Sequence, residues 1–260
     1  MVIGICVFFL WRLSILGKPS YQQPRTSLVE HPFWIMRRHP TVHTLDRLSG
    51  AHMKTYRQPG NSRSYFTTED QVKFLRFPAR YRQITNVPEY HYDDIREDDI
   101  VIDIGANIGA FAIRAARRSR HVVAVEPVTC DLLLENVRLN GVEVRVVCGA
   151  LGDGNPAQVR WDEQEVRVPT FPLRDIIAIA GGCDFLKCDC EGAEWMIDPG
   201  DLAGIRRIEM ELHLPPICGQ PDPLLLDYIS RHYDFTLDRV PCHEPLGLMG
   251  YLHACRKDRC

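Results

Sequence analysis

The chain has 260 residues, 45% hydrophobic and 25% charged, which is enough apolar surface for one sizeable folded domain with an extension and excludes intrinsic disorder or two full domains. A formal charge of −3 and a pI near 6.4 exclude a global attraction to phosphate backbones, so a nucleic-acid partner would need a local basic patch, and none stands out. Ten cysteines, scattered and partly inside apolar strand-like runs, read as reduced thiols of a cytoplasmic protein rather than a disulfide framework; with no CxxC pair, and with Cys188 and Cys190 along a strand, no metal site is expected.

Residues 1–18, MVIGICVFFLWRLSILGK, are apolar but shorter than the roughly 20 residues of a membrane-spanning helix, and Arg12 interrupts them. They lack the basic start and small-residue cleavage signature of a secretory signal peptide. A peripheral membrane contact through residues 1–17, a helix packed on the core, and a start-site artefact all fit this segment. Residues 19–83 read as an N-terminal extension or cap. From Ser20 to Gly60 loops and short helices are expected around the cluster Phe33-Trp34-Ile35-Met36, with a linker from Pro59 to Ser62. Between Ser64 and Tyr92, aromatic and β-branched residues broken by Pro78 and Pro88 suit short strands lining a substrate pocket.

Residues 84–260 form the main domain, where strands and helices alternate and predict parallel strands joined by helical crossovers. Asp99 to Ile104 is the first strand, Gly105 to Gly109 a turn, and Ala110 to Arg118 a helix. Val122 to Val125 is the second strand, followed after Pro127 by a helix stopping at Asn140-Gly141. Val142 to Val147, Asp184 to Cys190 and Ile205 to Leu212 complete five strands. The fold class is therefore α/β: a Rossmann-like, doubly wound, mostly parallel sheet with flanking helices. Ligands in such sheets bind beyond the carboxyl ends of the strands.

The motifs fall at those ends. Asp103-Ile104-Gly105-Ala106-Asn107-Ile108-Gly109 follows a strand and opens a helix, and its glycines allow close backbone approach to a ligand or to neighbouring elements. Glu126 ends the next strand about 20 residues later, where an acidic residue accepts hydrogen bonds from ribose hydroxyls. Asp103 would repel a pyrophosphate but suits the cationic amino group of a methionine moiety, which favours S-adenosylmethionine over a nicotinamide dinucleotide. Asn107 also departs from the GxGxxG dinucleotide fingerprint.

The runs DIGANIGAF, AVEP, LLLENVRLN, FLKCDCEGAE and IEMELH occur in the order in which FkbM-type methyltransferases carry them, and the chain resembles that family over most of residues 84–213. The most specific stretch is Lys187, Asp189, Glu191, Gly192 and Glu194. The resemblance implies S-adenosylmethionine binding, with Asp103, Gly105, Asn107 and Gly109 on the methionine part and Glu126 on the ribose, and S-adenosylhomocysteine as product. It further implies O-methylation of a small-molecule hydroxyl acceptor such as a sugar, lipid or polyketide-like compound. Two departures stand out: Cys188 and Cys190 flank Asp189 where aliphatic residues are usual, and Phe171 to Asp175 matches the usual Thr-Leu-Asp segment only loosely.

Asp189 and Glu191 end the fourth strand, placed to orient an acceptor or take its proton, although such carboxylates also cap helices. Lys187 shares a strand face with Asp189 and needs an anionic partner. His213, near the end of the fifth strand, is a candidate general base because its unperturbed pKa lies near neutrality. The other histidines, among them His91, show no ligand spacing. Two rival readings stay open. An RNA- or protein-methylating enzyme would carry a basic, aromatic-bearing surface, for which Arg57 to Arg82 is the candidate stretch. A non-catalytic cofactor-binding protein should have lost Asp103, Glu126 or Asp189, and all three are present.

Overall fold

The computed structural model describes residues 64–75, 85–161 and 164–259, together with the strands Trp34–Ile35 and Lys54–Arg57. All of these fall in one compact unit. The apolar segment 1–18 and half of the basic stretch from Arg57 to Arg82 lie outside the described residues. Among the described residues no helix is long and apolar enough to cross a membrane.

Seven strands form the central sheet: β1 (Ile100–Ile104), β2 (His121–Glu126), β3 (Arg145–Cys148), β4 (Phe185–Cys188), β5 (Arg207–His213), β6 (Tyr233–Arg239) and β7 (Leu248–Arg256). Their order is β6-β7-β5-β4-β1-β2-β3. The five strands from β3 to β5 run parallel, and β7 is antiparallel to both β5 and β6. This is a Rossmann-like sheet with an antiparallel edge. The central strands lie between layers of side chains on both faces, which is why β4 reads as the unbroken apolar run Phe-Leu-Lys-Cys with one charged exception.

Four helices flank it. α1 (Ala110–Ala115) and α2 (Cys130–Asn140) pack on the face of Val101, Val122, Ala124 and Phe185 through Phe111, Ile113, Leu133 and Val137. α3 (Leu173–Ala180) and α4 (Pro223–His232) cover the opposite face of Ile102, Ile104, Leu186, Ile208 and Met210 through Leu173, Ile176, Leu225 and Ile229. α2 stops at Gly141, whose φ of 64° is the left-handed cap expected of the Asn-Gly signal. α4 starts where the Asp222 side chain accepts the Leu224 N–H at 2.9 Å.

Several elements differ from expectation. α1 ends at Ala115, short of Arg118, and β3 begins at Arg145, three residues after the expected Val142. A hairpin, Ala157–Trp161 with Gln164–Val168, fills a stretch the periodicity left unread. Strands Ser64–Thr67 and Lys73–Leu75 belong to a small antiparallel sheet with Lys54–Arg57. That sheet docks on α2: the Lys73 and Leu75 N–H groups donate to Asn140 Oδ1 and Asn136 Oδ1 at 2.8 and 2.9 Å, and Phe66 and Phe74 join the α1–α2 core.

The expectation of reduced thiols is corrected. Cys130 and Cys148 form a disulfide with a Cα–Cα distance of 5.7 Å, and Cys255 is disulfide-bonded as well. The parallel crossover brings the first residue of α2 beside the last residue of β3, a neighbourhood that a sequence separation of 18 does not announce.

Candidate cofactor and active site

The carboxyl ends of β1, β2, β4 and β5 converge on one edge of the sheet, and each sequence-predicted site residue stands there. After β1 the chain turns sharply. The N–H groups of Gly105 and Ala106 both donate to the Val125 carbonyl, at 2.9 and 3.1 Å. Gly105 has φ +72°, and a Cβ there would lie 1.7 Å from the Asp189 carbonyl oxygen, so only glycine lets the ends of β1 and β4 meet. A Cβ on Gly109 would come within 2.6 Å of Leu133, so this glycine serves the packing of α1 on α2.

Asp103 is fully buried. Its Oδ1 lies 3.1 Å from Lys187 Nζ, yet neither carboxylate oxygen accepts a well-aligned hydrogen bond among the described residues. The ammonium instead donates to the Gly105 and Ile104 carbonyls, at 3.0 and 3.4 Å, lies 5.3 Å from the centre of the Tyr90 ring and stands 3.9 Å from Asp189 Oδ2. Burial raises the Asp103 pKa against the pull of Lys187. For Lys187 burial pulls the other way, but Asp103 and Asp189 outweigh it and the ammonium is strengthened. Lys187 thus has the carboxylate partner its position in a central strand demands.

Glu126 is likewise buried. Oε1 accepts the N–H groups of Val128 and Thr129 at 2.7 and 2.8 Å, and Oε2 that of Asn107 at 2.9 Å. A carboxylate has about four acceptor sites, so Oε2 retains one. The buried Asn107 Oδ1 has no hydrogen-bond partner among the described residues. Around the turn after β1 the protein therefore keeps spare acceptor capacity, at Asp103 Oδ2, at Asn107 Oδ1 and at Glu126 Oε2. A molecule with a cationic amino group at one end and ribose hydroxyls at the other complements their chemistry, and S-adenosylmethionine is such a molecule.

Beside this cradle stands a cluster of acids around one histidine. Glu194, fully buried, accepts the Gly192 N–H at 2.8 Å and the His213 N–H at 2.7 Å, and its Oε1 lies 3.0 Å from His213 Nδ1. Trp195 Nε1 donates to the His213 carbonyl at 2.9 Å. The other imidazole nitrogen faces Glu191 Oε2 at 3.5 Å and Glu211 Oε1 at 3.6 Å. Tyr90 donates its hydroxyl to Glu211 Oε2 at 3.1 Å. Burial tends to lower the His213 pKa, but Glu194 first, then Glu191 and Glu211, push it up to about 10. Glu191 goes up to about 7 because burial outweighs His213 and Asp189 adds repulsion. Glu211 is raised by burial and by Asp189. Glu191 also has φ +55°, a left-handed conformation that a non-glycine residue rarely adopts and that turns its carboxyl toward His213.

This geometry redistributes the expected roles. The acids around His213 push its pKa up to about 10 and favour its protonated form, which sets it apart from the free imidazole behind the general-base expectation. Glu194, named in the sequence only as part of the family-like stretch, anchors His213. Tyr90 lies in an irregular part of the Ser64 to Tyr92 stretch read as pocket lining, where no pattern singled out its hydroxyl. Asp189, Glu191 and His213 each place a potential ligand atom within 4.8 Å of the others, and so do His91, Glu209 and His253. In the second group Arg207 already lies 2.6 Å from Glu209 Oε1, His253 Nδ1 lies 2.6 Å from Oε2, and the two imidazoles stack at 4.2 Å. The guanidinium supplies the charge a cation would bring.

Residues 90–168 match the family model described as the TRM5/TYW2 methyltransferase domain. A stretch of 57 residues, 21% of this chain, is 37% identical to the probable ribosomal RNA small subunit methyltransferase A of Methanothermobacter thermautotrophicus. Curated relatives are matched over only about a fifth of their own length, 19% and 21%. Among solved structures, M. jannaschii TYW2 in complex with AdoMet is similar with a TM-score of 0.41 and 15% identity, covering 80% of this chain and 88% of that one. An rRNA methylase from Streptococcus thermophilus gives 0.43 and 10%, covering 64% and 90%. The strand order, rather than these distant likenesses, carries the fold.

The expected small-molecule hydroxyl acceptor is overturned by the sequence relative, which is named as a probable ribosomal RNA small subunit methyltransferase. That expectation came from the family resemblance and not from any residue that recognises an acceptor, and a net charge of −3 is a sum over the whole surface that does not exclude a local phosphate-binding region. The chain has a Rossmann-like fold, and over residues 90–168 the matching model is that of the TRM5/TYW2 methyltransferase domain rather than the FkbM type.

Proposed function

We propose that this chain is an S-adenosylmethionine-dependent methyltransferase, with residues 84–260 as its catalytic domain, and that its acceptor is an RNA. The observation that carries the cofactor is the buried Asp103 carboxylate, ion-paired to Lys187 but without an aligned hydrogen bond, beside a glycine turn that admits no side chain. The RNA acceptor is supported by the match to the TRM5/TYW2 methyltransferase domain and by the relative named as a ribosomal RNA methyltransferase.

Asp103, Gly105 and Asn107 hold the methionine part, Gly109 shapes the turn beside it by letting α1 pack on α2, and Glu126 holds the ribose. When bound, the cofactor supplies an electrophilic methyl group on a sulfonium, so alignment and proton removal are what the protein must add. Asp189, partly exposed at the end of β4, orients the acceptor. Glu191, with a pKa near 7, takes its proton at neutral pH. His213 and Glu194 fix Glu191 and limit the repulsion among the acids.

Calorimetry with S-adenosylmethionine and S-adenosylhomocysteine tests the cofactor site, and transfer of labelled methyl to rRNA and tRNA tests the acceptor. The expected result is micromolar binding lost in Asp103→Ala and Glu126→Ala, label in RNA, and little turnover in Asp189→Ala. A protein that binds the cofactor but labels no RNA refutes the acceptor; a protein that binds neither cofactor nor product refutes the enzyme.

A further inference from the structure

Glu126 sits inside a short ring closed by a covalent bond. From Glu126 the chain runs through Pro127, Val128 and Thr129 to Cys130, the first residue of α2. The disulfide crosses to Cys148, the last residue of β3, and strand pairing returns from Cys148 to Glu126, its register partner. The Gly149 N–H closes the same corner by donating to the Glu126 carbonyl at 3.1 Å. From within the ring, the Glu126 carboxylate gathers the Val128 and Thr129 N–H groups. Cys130 is buried, whereas Cys148 is an exposed residue.

We infer that the Cys130–Cys148 disulfide positions Glu126 for the ribose of the cofactor, and that its reduction by a dithiol weakens cofactor binding. The inference rests on the role given to Glu126 under the proposed function. A dithiol's thiolate attacks the Cys148 sulfur and expels the Cys130 thiolate. The second thiol then displaces Cys148 and closes the reagent into its own disulfide, so that two electrons and two protons pass to the protein. The start of α2 is then free to move off β3, and the turn that holds the Glu126 carboxylate moves with it.

The test is a redox titration of the unmodified protein in dithiothreitol buffers, with thiol labelling at Cys130 and Cys148 read by mass spectrometry and S-adenosylhomocysteine affinity by calorimetry. The expected result is roughly tenfold weaker binding in the reduced form. Linkage then requires saturating S-adenosylhomocysteine to move the midpoint potential of this pair about 30 mV more negative, a shift that a bond merely stapling the fold does not produce. The C130S/C148S variant should bind as weakly as the reduced protein and ignore dithiothreitol, while C242S and C255S respond like the unmodified protein. If the double variant does not fold, the redox titration decides alone. Equal affinity in both redox states, no potential shift with ligand, or a pair that stays as thiols in oxidised glutathione overturns the inference. Oxidised protein that binds no cofactor at all removes the role of Glu126, and the inference with it.

Discussion

Replacing Lys187 with methionine tests how the cofactor cradle is held charged. Lys187 and Asp103 are 4% and 0% exposed at the side chain and 3.1 Å apart. At that distance an effective dielectric of about 20 gives roughly 5 kcal/mol of attraction, much of it offset by the cost of taking both ions out of water. Removing one partner is different, because it leaves the other as an uncompensated buried charge, at a cost of about 3–5 kcal/mol. Lys187→Met should therefore lose about that much stability in urea unfolding at pH 7, a large part of the roughly 5–15 kcal/mol of an ordinary domain. In the variant, burial without Lys187 raises the Asp103 pKa further above its unfolded value. The penalty is then complete above the folded pKa and fades as pH falls toward the unfolded value near 4, so the gap to the unmodified protein narrows at pH 5. Asp103→Asn combined with Lys187→Met should recover most of the loss. A cost below about 1 kcal/mol for Lys187→Met, or a double variant no more stable than the single one, would refute the assignment of Lys187 as the buried counter-ion of Asp103.

Further outcomes follow from the same geometry. Gly105→Ala puts a methyl group 1.7 Å from a backbone oxygen at φ +72°; calorimetry should show cofactor affinity falling at least about tenfold, with a loss of stability beyond the roughly 1 kcal/mol of the left-handed backbone alone. Because Glu191 is pushed up to about 7, methyl transfer should rise with pH through that value, and Glu191→Gln should abolish this limb of the profile. The same raised carboxyl stabilises the fold only while protonated, so stability should decline between about pH 4.5 and 7; unfolding curves of Glu191→Gln should lack that slope. Tyr233 donates its hydroxyl to the carbonyls of Leu202 and Ile205 at 2.6 and 2.9 Å in a buried corner, so Tyr233→Phe should cost about 1 kcal/mol in thermal unfolding without changing cofactor affinity.

By itself the sequence determined the five parallel strands, the position of the glycine turn, the Asn-Gly stop of α2 and the two acidic residues, Asp103 and Glu126, that end the strands beside that turn. These are local matters: an apolar run, a capping residue and a positive φ leave their mark within a few positions. It also put Asp189, Glu191 and His213 at strand ends, because the period of a strand fixes which side chains share a face. Tertiary structure alone decided what those residues are. Whether His213 is a base or a fixed cation depends on Glu194, Glu191 and Glu211 standing within 3.6 Å of it, and a pKa belongs to the surroundings rather than to the residue. The partner of Cys130 and the hydroxyl of Tyr90 against Glu211 are likewise contacts between segments far apart in the chain. No sequence period encodes them, because the folding of the sheet, not the order of residues, brings them within reach.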